Sequence, residues 1–250
     1  MSAELPKDFI PPIIEAVLDI DCDLPPAVDL AALEAPARAA FRERYPKHKT
    51  QFLDEHTIEA RAENPPKVSS RRGLQAFQFL QEDEKQLIQV RGKGYSFNRL
   101  APYSSLDDYL GEIERSWRQF VDLASPLQVR QVRLRYINRI VLPPQGNVDL
   151  AEYLAIGPRL PQDRRLTFVS FLNRHAAMDT VTGHRVQIIL ASRPAVSEGL
   201  PVILDIEVAA DKTIDPSDWE AILGKIRSLR DLKNLVFRST LTDRCLQLQR

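Results

Sequence analysis

Apolar and polar residues alternate along much of the chain, and at a few places the period lengthens from two to three or four. Ile14, Ala16, Leu18 and Ile20 alternate with Glu15 and Asp19, the pattern of a half-buried strand. Residues 30–45 are rich in Ala and carry Arg38, Arg42 and Arg44 toward their end. They predict a helix that begins near Pro36 or kinks there. Residues 48–61 are expected to form a strand, and 64–72, with two prolines and two serines, a loop. Strands follow at 74–80, 86–91 and 95–99, separated by a charged turn and by Gly92-Lys93-Gly94. Leu106, Leu110, Ile113, Trp117 and Phe120 then recur every three or four residues. That is an amphipathic helix, and Ser105 to Asp108 before it has the form of a capping box.

After Ser125-Pro126 the pattern restarts. Residues 129–141 alternate clearly and predict a strand. A short helix is expected at 149–154, and strands at 166–173, 185–192 and 202–208. Asp215 and Pro216 suit the cap and first position of a helix whose apolar stripe is Trp219, Ile222, Ile226, Leu229 and Leu232. A terminal helix at 241–248 follows a second capping-box pattern. The order strand, helix, several strands, long helix thus occurs twice, at 12–126 and 127–250. The expected class is α+β: two tandem units forming one body, each an antiparallel sheet with helices packed on one face. The TATA-binding-protein-like arrangement has this repeated order, but a shared fold carries no function with it.

With 250 residues, 44% apolar and 27% charged, the composition is that of a globular chain. Lys+Arg and Asp+Glu are both 34, which argues against a protein held to nucleic acid by bulk charge. The zero hides an asymmetry. Residues 1–125 hold 16 basic and 21 acidic residues, net −5, and 126–250 hold 18 and 13, net +5. Such halves attract each other, or a second copy. Two distant cysteines, Cys22 and Cys245, with no basic and apolar leader and no long apolar run, predict a cytoplasmic protein without a membrane span. The four histidines lack metal-ligand spacing, and no metal or other cofactor is expected.

The strand at 129–141 carries the most chemistry. Val132, Leu134, Tyr136, Asn138 and Ile140 share one face, and Arg133, Arg135, Ile137 and Arg139 the other. Arginine forks bind phosphate or carboxylate, so this second face is a candidate anion site. The competing expectation is a cross-strand ion-pair ladder with Asp205 and Glu207, which share one face of the 202–208 strand. Asn138 and Asn234 are polar amides in apolar surroundings, suited to pinning backbone or to facing a ligand. His175 and His184 flank an expected hairpin turn and could face each other across it. Phe77, Phe79, Tyr95 and Phe97 alternate on their strands, as core packing requires. No GxSxG, HExxH or P-loop pattern is present, and no catalytic residue is assigned.

Three segments carry a resemblance. Pro-Pro-Ile-Ile-Glu-Ala-Val at 11–17, Leu-Arg-Tyr-Ile-Asn-Arg-Ile at 134–140, and the tail with Leu232, Asn234, Phe237, Ser239, Leu241, Thr242 and Asp243 resemble a sporadically distributed bacterial family of about this length. That family is catalogued by number, without an assigned activity. Its patchy occurrence is similar to that of genes on mobile or defence islands, which implies a role beside a partner. The leading expectation is a non-enzymatic binding or accessory protein that docks on a partner protein, with homo-oligomers admitted. The alternatives are a nucleic-acid binder using Arg133, Arg135 and Arg139, and an enzyme or binder of a small anion using Tyr136, Asn138 and Asn234.

Overall fold

The computed structural model describes residues 9–61, 64–143, 149–161, 165, 166 and 168–248. The alternating segments become nine strands: β1 (Ile13–Asp23), β2 (Lys47–Arg61), β3 (Asn64–Leu80), β4 (Gln86–Arg91), β5 (Gly94–Leu100), β6 (Gln128–Leu142), β7 (Leu172–Met178), β8 (Arg185–Ser192) and β9 (Leu200–Ile214). All lie in one antiparallel sheet of order β2-β3-β4-β5-β1-β6-β9-β8-β7. The helices are α1 (Glu34–Phe41), α2 (Leu110–Ala124), α3 (Trp219–Thr240) and α4 (Asp243–Gln247). The protein is α+β, with a large antiparallel sheet and a few helices. No helix among the described residues is long and apolar enough to cross a membrane.

One face of the sheet is apolar. Leu18 on β1 lies opposite Phe97 on β5 and Leu134 on β6, and Leu134 lies opposite Val208 on β9. These residues join Phe41 of α1, Trp117 and Phe120 of α2, and Ile222, Ile226 and Leu229 of α3 in a single buried cluster. Trp117 also donates its indole N–H to the Pro216 carbonyl at 3.1 Å, tying α2 to the start of α3. The alternate positions form the second face, where Glu15, Asp19, Ser96, Asn98, Arg133, Arg135, Asp205 and Glu207 stand among Val17, Ile137 and Ile203.

Several local expectations need correction. Residues 64–72 belong to β3 rather than to a loop. This part of β3 pairs with β2 alone, and a strand with one free side tolerates proline. The strand expected at 166–173 instead begins at Leu172, because the turn from Asp179 to His184 sets the register with β8: Leu172 opposes Ala191 and Met178 opposes Arg185. His175 therefore lies mid-strand opposite Ile188, and it does not face His184. The long last helix starts at Trp219. Its cap is Asp218, which accepts from the Ala221 N–H at 3.0 Å, while Asp215 closes a turn by accepting from the Ser217 N–H at 2.8 Å. Ser105 accepts from Asp107 N–H at 3.1 Å, two residues on, so it closes a turn rather than a reciprocal capping box. The second capping-box pattern puts Thr242 at the cap, accepting from Cys245 N–H at 3.3 Å, and the terminal helix is the short α4.

Candidate ligand-binding site

On the polar face the arginines of β6 are held by acids. Arg133 donates through Nε and Nη2 to Asp19 on β1, at 3.0 and 2.7 Å. Arg135 donates through Nε to Asp205 Oδ1 at 2.9 Å and through Nη2 to Oδ2 at 2.6 Å. Glu207 stands 4.0 Å from Arg133. Asp19 also takes the Ser96 hydroxyl and lies 3.5 Å from Arg91, which is 2.7 Å from Asp21. Asn98 donates to Glu15 at 2.9 Å and accepts from Gln89 at 3.0 Å. Acids and guanidiniums alternate over four strands, so Arg133 and Arg135 already have carboxylate partners. Arg139 is exposed at the end of the row.

The other candidates come together on the opposite face. Tyr136 and Asn138, two apart on β6, point to the helix side, where α3 crosses them. Arg230, Lys233, Asn234 and Phe237 follow at helical spacing and present one stripe of α3. The stripe, the strand and the 103–107 loop enclose a pocket of about 470 Å³, completed by Phe9, Pro11 and Ile13. That volume lies within the range of small-molecule sites, and the mixture of apolar wall and few polar groups is typical of them.

Each polar group in the pocket has a definite state. The Asn138 side chain is buried, and its amide nitrogen donates to the carbonyls of Leu204 at 2.9 Å and Tyr136 at 3.3 Å. Asn138 thus pins β6 to β9, and the group it has left to offer is the Oδ1 acceptor. The Tyr103 and Tyr136 hydroxyls are 3.1 Å apart, with their rings at 90°. Burial holds both phenols above their ordinary range, Tyr136 at about 12, so both stay protonated. Arg230 is neutralised by Asp107, at 3.0 and 3.1 Å, and reaches Asp231 at 3.2 Å.

Lys233 is different. Its ammonium lies 4.1 Å from the centroid of the Tyr136 ring. Among the described residues no carboxylate comes within 4.0 Å of it. Burial, and then the charges of Arg230 and Arg238, push its pKa down to about 8 from 10.5. The aromatic face favours the cation, while burial and like charge disfavour it. Sequence reasoning marked Asn234 and passed over Lys233, Arg230 and Tyr103. The available signal was the i, i+3, i+4, i+7 spacing from Arg230 to Phe237, which puts the lysine on one stripe with Asn234, already a candidate.

No protein-family model and no curated protein matches the chain. The site therefore has to be read from its own geometry. Among the described residues no three His, Cys, Asp or Glu side chains gather as a metal site would require. His184 does acquire a partner that the sequence did not reveal: its Nε2 is 3.1 Å from the Ser228 hydroxyl on α3. The pair resembles a nucleophile and base, but Ser228 sits mid-helix, where neighbouring backbone N–H groups are bonded within the helix and none is left to hold an oxyanion. The contact fixes the β8 end to α3. Cys22 and Cys245 are buried thiols, both pushed up to about 12 chiefly by desolvation, and are unreactive as nucleophiles.

Proposed function

We propose that this protein binds a small organic anion in the pocket between β6, α3 and the 103–107 loop. The observation that carries the reading is Lys233, whose ammonium lies against the Tyr136 ring with no carboxylate within 4.0 Å among the described residues. Burial and the neighbouring guanidiniums disfavour the Lys233 ammonium, and an anion entering the pocket offsets both. Asn138, Asn234 and the tyrosine hydroxyls supply directional contacts, while Phe9, Ile13, Leu106 and Phe237 suit an apolar body. The nucleic-acid alternative loses its main support, because the proposed phosphate-binding arginines Arg133 and Arg135 are held by Asp19 and Asp205.

Thermal shift and calorimetric titration with benzoate and phenyl phosphate, against neutral benzyl alcohol, test the reading. Both anions are expected to raise the melting temperature saturably, and benzyl alcohol to leave it unchanged. Lys233→Met is expected to lose the response. Equal responses to all three compounds, or an undiminished response in Lys233→Met, would overturn it.

A second reading, an accessory protein docked on a partner chain, has its own observation. The edge strand β7 and its flanks expose Val169, Leu172, Met178 and Val181, with Val169 95% and Val181 89% accessible. Native mass spectrometry of the protein purified from its host would reveal such a partner, and a bare monomer would count against it. The tandem-repeat architecture, similar to that of TATA-binding protein, belongs with these proposals. Its support is the sheet order, in which β1 and β6 are central and each is followed outward by the last strand before the next long helix.

A further inference from the structure

Anion binding needs only a cation, and the pocket holds its cation in an unusual state. Lys233 is packed over Tyr136 on one side and Arg230 stands one helical turn before it, its own charge already answered by Asp107. Among the described residues, the titratable and charged groups around the pocket are Tyr103 and Asp107 from the loop, Tyr136 from β6, and Arg230, Asp231 and Arg238 from α3. The two acids in this set, Asp107 and Asp231, both engage Arg230. A lysine that is desolvated and crowded by like charge gives up its proton readily and becomes a nucleophilic amine. A lysine built only to hold a carboxylate or phosphate gains nothing from that loss.

We propose that the Lys233 amine condenses with the carbonyl carbon of a small oxo acid bound in this pocket, forming an imine. The inference rests on the anion-binding reading and names the class of anion. The amine lone pair adds to the carbonyl carbon, the carbonyl oxygen takes a proton, and the carbinolamine forms. A C–N bond has formed and the C=O π bond has been broken. The nitrogen then loses its proton, the carbinolamine oxygen takes a second one and leaves as water, and the C=N bond is complete. No oxidant or reductant is consumed. The proton that leaves with the water comes from solvent, since burial makes the Tyr103 and Tyr136 phenols weaker acids than ordinary tyrosines. The pKa of about 8 makes the neutral amine abundant enough to react near neutral pH, with a neutral fraction on the order of 100-fold above that of an ordinary lysine.

The probes are phenylpyruvate and its alcohol counterpart phenyllactate, which keeps the carboxylate and ring but has no carbonyl. The whole chain is incubated with each in sodium cyanoborohydride, which traps an imine by delivering hydride to its carbon. Intact mass and peptide mapping are then read. The expected result with phenylpyruvate is one adduct, equal to the acid less one oxygen, on Lys233. It should form about 10-fold faster than on the average surface lysine, since lower basicity gives back part of the gain in neutral amine. Lys233→Arg keeps the positive charge and cannot form an imine, so it should lose the adduct. Adducts spread evenly over the lysines, or an unchanged adduct yield in Lys233→Arg, would overturn the inference. Phenyllactate binding without a Lys233 adduct would overturn the imine and leave anion binding standing. Failure of both binding and labelling would overturn both.

Discussion

Asp19 and Arg133 lie directly opposite one another where β1 pairs with β6, and the guanidinium holds the carboxylate through two nitrogens. This pair joins the two central strands of the sheet, one from each half of the chain. Both side chains are mostly covered, at 14% and 27% accessibility, so solvent screens them less than a surface pair. Asp19→Ala should cost about 1–3 kcal/mol, because Arg133 loses its main partner, Arg91 a second contact and the Ser96 hydroxyl its acceptor. Urea denaturation of Asp19→Ala, Arg133→Ala and the double variant checks this, and a coupling near zero would contradict it.

The same ladder predicts that Arg133 and Arg135 act on stability rather than on nucleic-acid affinity. Arg133→Ala combined with Arg135→Ala should lower the denaturation midpoint, since Asp205 loses its arginine and Asp19 keeps only the longer contact to Arg91. Duplex and single-stranded oligonucleotides should show no tight, steeply salt-dependent binding to the intact chain. Fluorescence anisotropy over a salt series reads this directly.

Glu112 on α2 gathers a second set of partners. It accepts from the Tyr45 hydroxyl at 2.9 Å, pairs with Arg44 at 2.7 Å and is held by Arg115 one turn on, while Gln86 donates to Tyr45 at 2.9 Å. Burial alone would raise its pKa, but the hydrogen bonds from Arg115 and Tyr45 outweigh that and hold the carboxyl below its ordinary 4.5. A depressed folded pKa means that the unfolded chain binds the proton first. The stabilisation is therefore complete above about pH 4.5 and disappears as pH falls through the lower folded value. Glu112→Gln should be less stable at pH 7 by about 1–3 kcal/mol and should nearly match the parent in strong acid. Denaturation at both pH values measures the difference.

Lys233 predicts the opposite slope. Its folded pKa of about 8 lies below the unfolded 10.5, so between these values the unfolded chain holds more protons. Its contribution to stability therefore rises with pH across that window and is unfavourable below it. Lys233→Met should be more stable than the parent near neutral pH, by a margin that shrinks toward pH 10.5. Paired melting curves from pH 7 to 10.5 test the trend. A lysine kept at a cost to stability is what a binding site requires.

Two glycines should be irreplaceable. Gly94 opens β5 with φ of 131°, and a Cβ there would collide with the Ile20 carbonyl of β1. Gly199 precedes β9 with φ of 140°, and a Cβ there would collide with the Leu142 carbonyl at the end of β6. Gly94→Ala and Gly199→Ala combine a disfavoured backbone with a backbone collision, and each should lose several kcal/mol. Circular dichroism melts and soluble yield check this. Gly183→Ala, with φ of 71° and open space around it, should be milder.

The faces of β6 were legible in the sequence because strand alternation leaves little choice: Arg133 and Leu134 cannot share a side. The amphipathic stripes of α2 and α3 were legible for the same kind of reason. The 64–72 segment was not, since Pro65 and Pro66 look like a break unless the free side of the strand is known. β7 was placed too early because Leu166, Phe168, Val169 and Leu172 are apolar yet largely exposed, and hydrophobicity there does not mark the paired residues. The site was half legible. Tyr136, Asn138 and Asn234 stood out as polar groups in apolar company, and they do line one pocket. Lys233 did not stand out, since a lysine in a helix among Arg230, Asp231 and Arg238 looks like a solvated face until β6 and the 103–107 loop close over it.

The central position of β1 and β6 also bears on the order of synthesis. β1 is complete at Asp23, and its neighbour on one side does not begin until Gln128. Strands β2 to β5 can join β1 on the other side while that edge still waits. Until then it presents Asp19 and Asp23, which later pair with Arg133 and Arg130 of β6. Charges on an open edge discourage a stray strand from adding to it. The strand that fits brings guanidiniums in matching register, so the ladder that stabilises the finished sheet also works as a lock on the nascent one, opened by a key made about a hundred residues later.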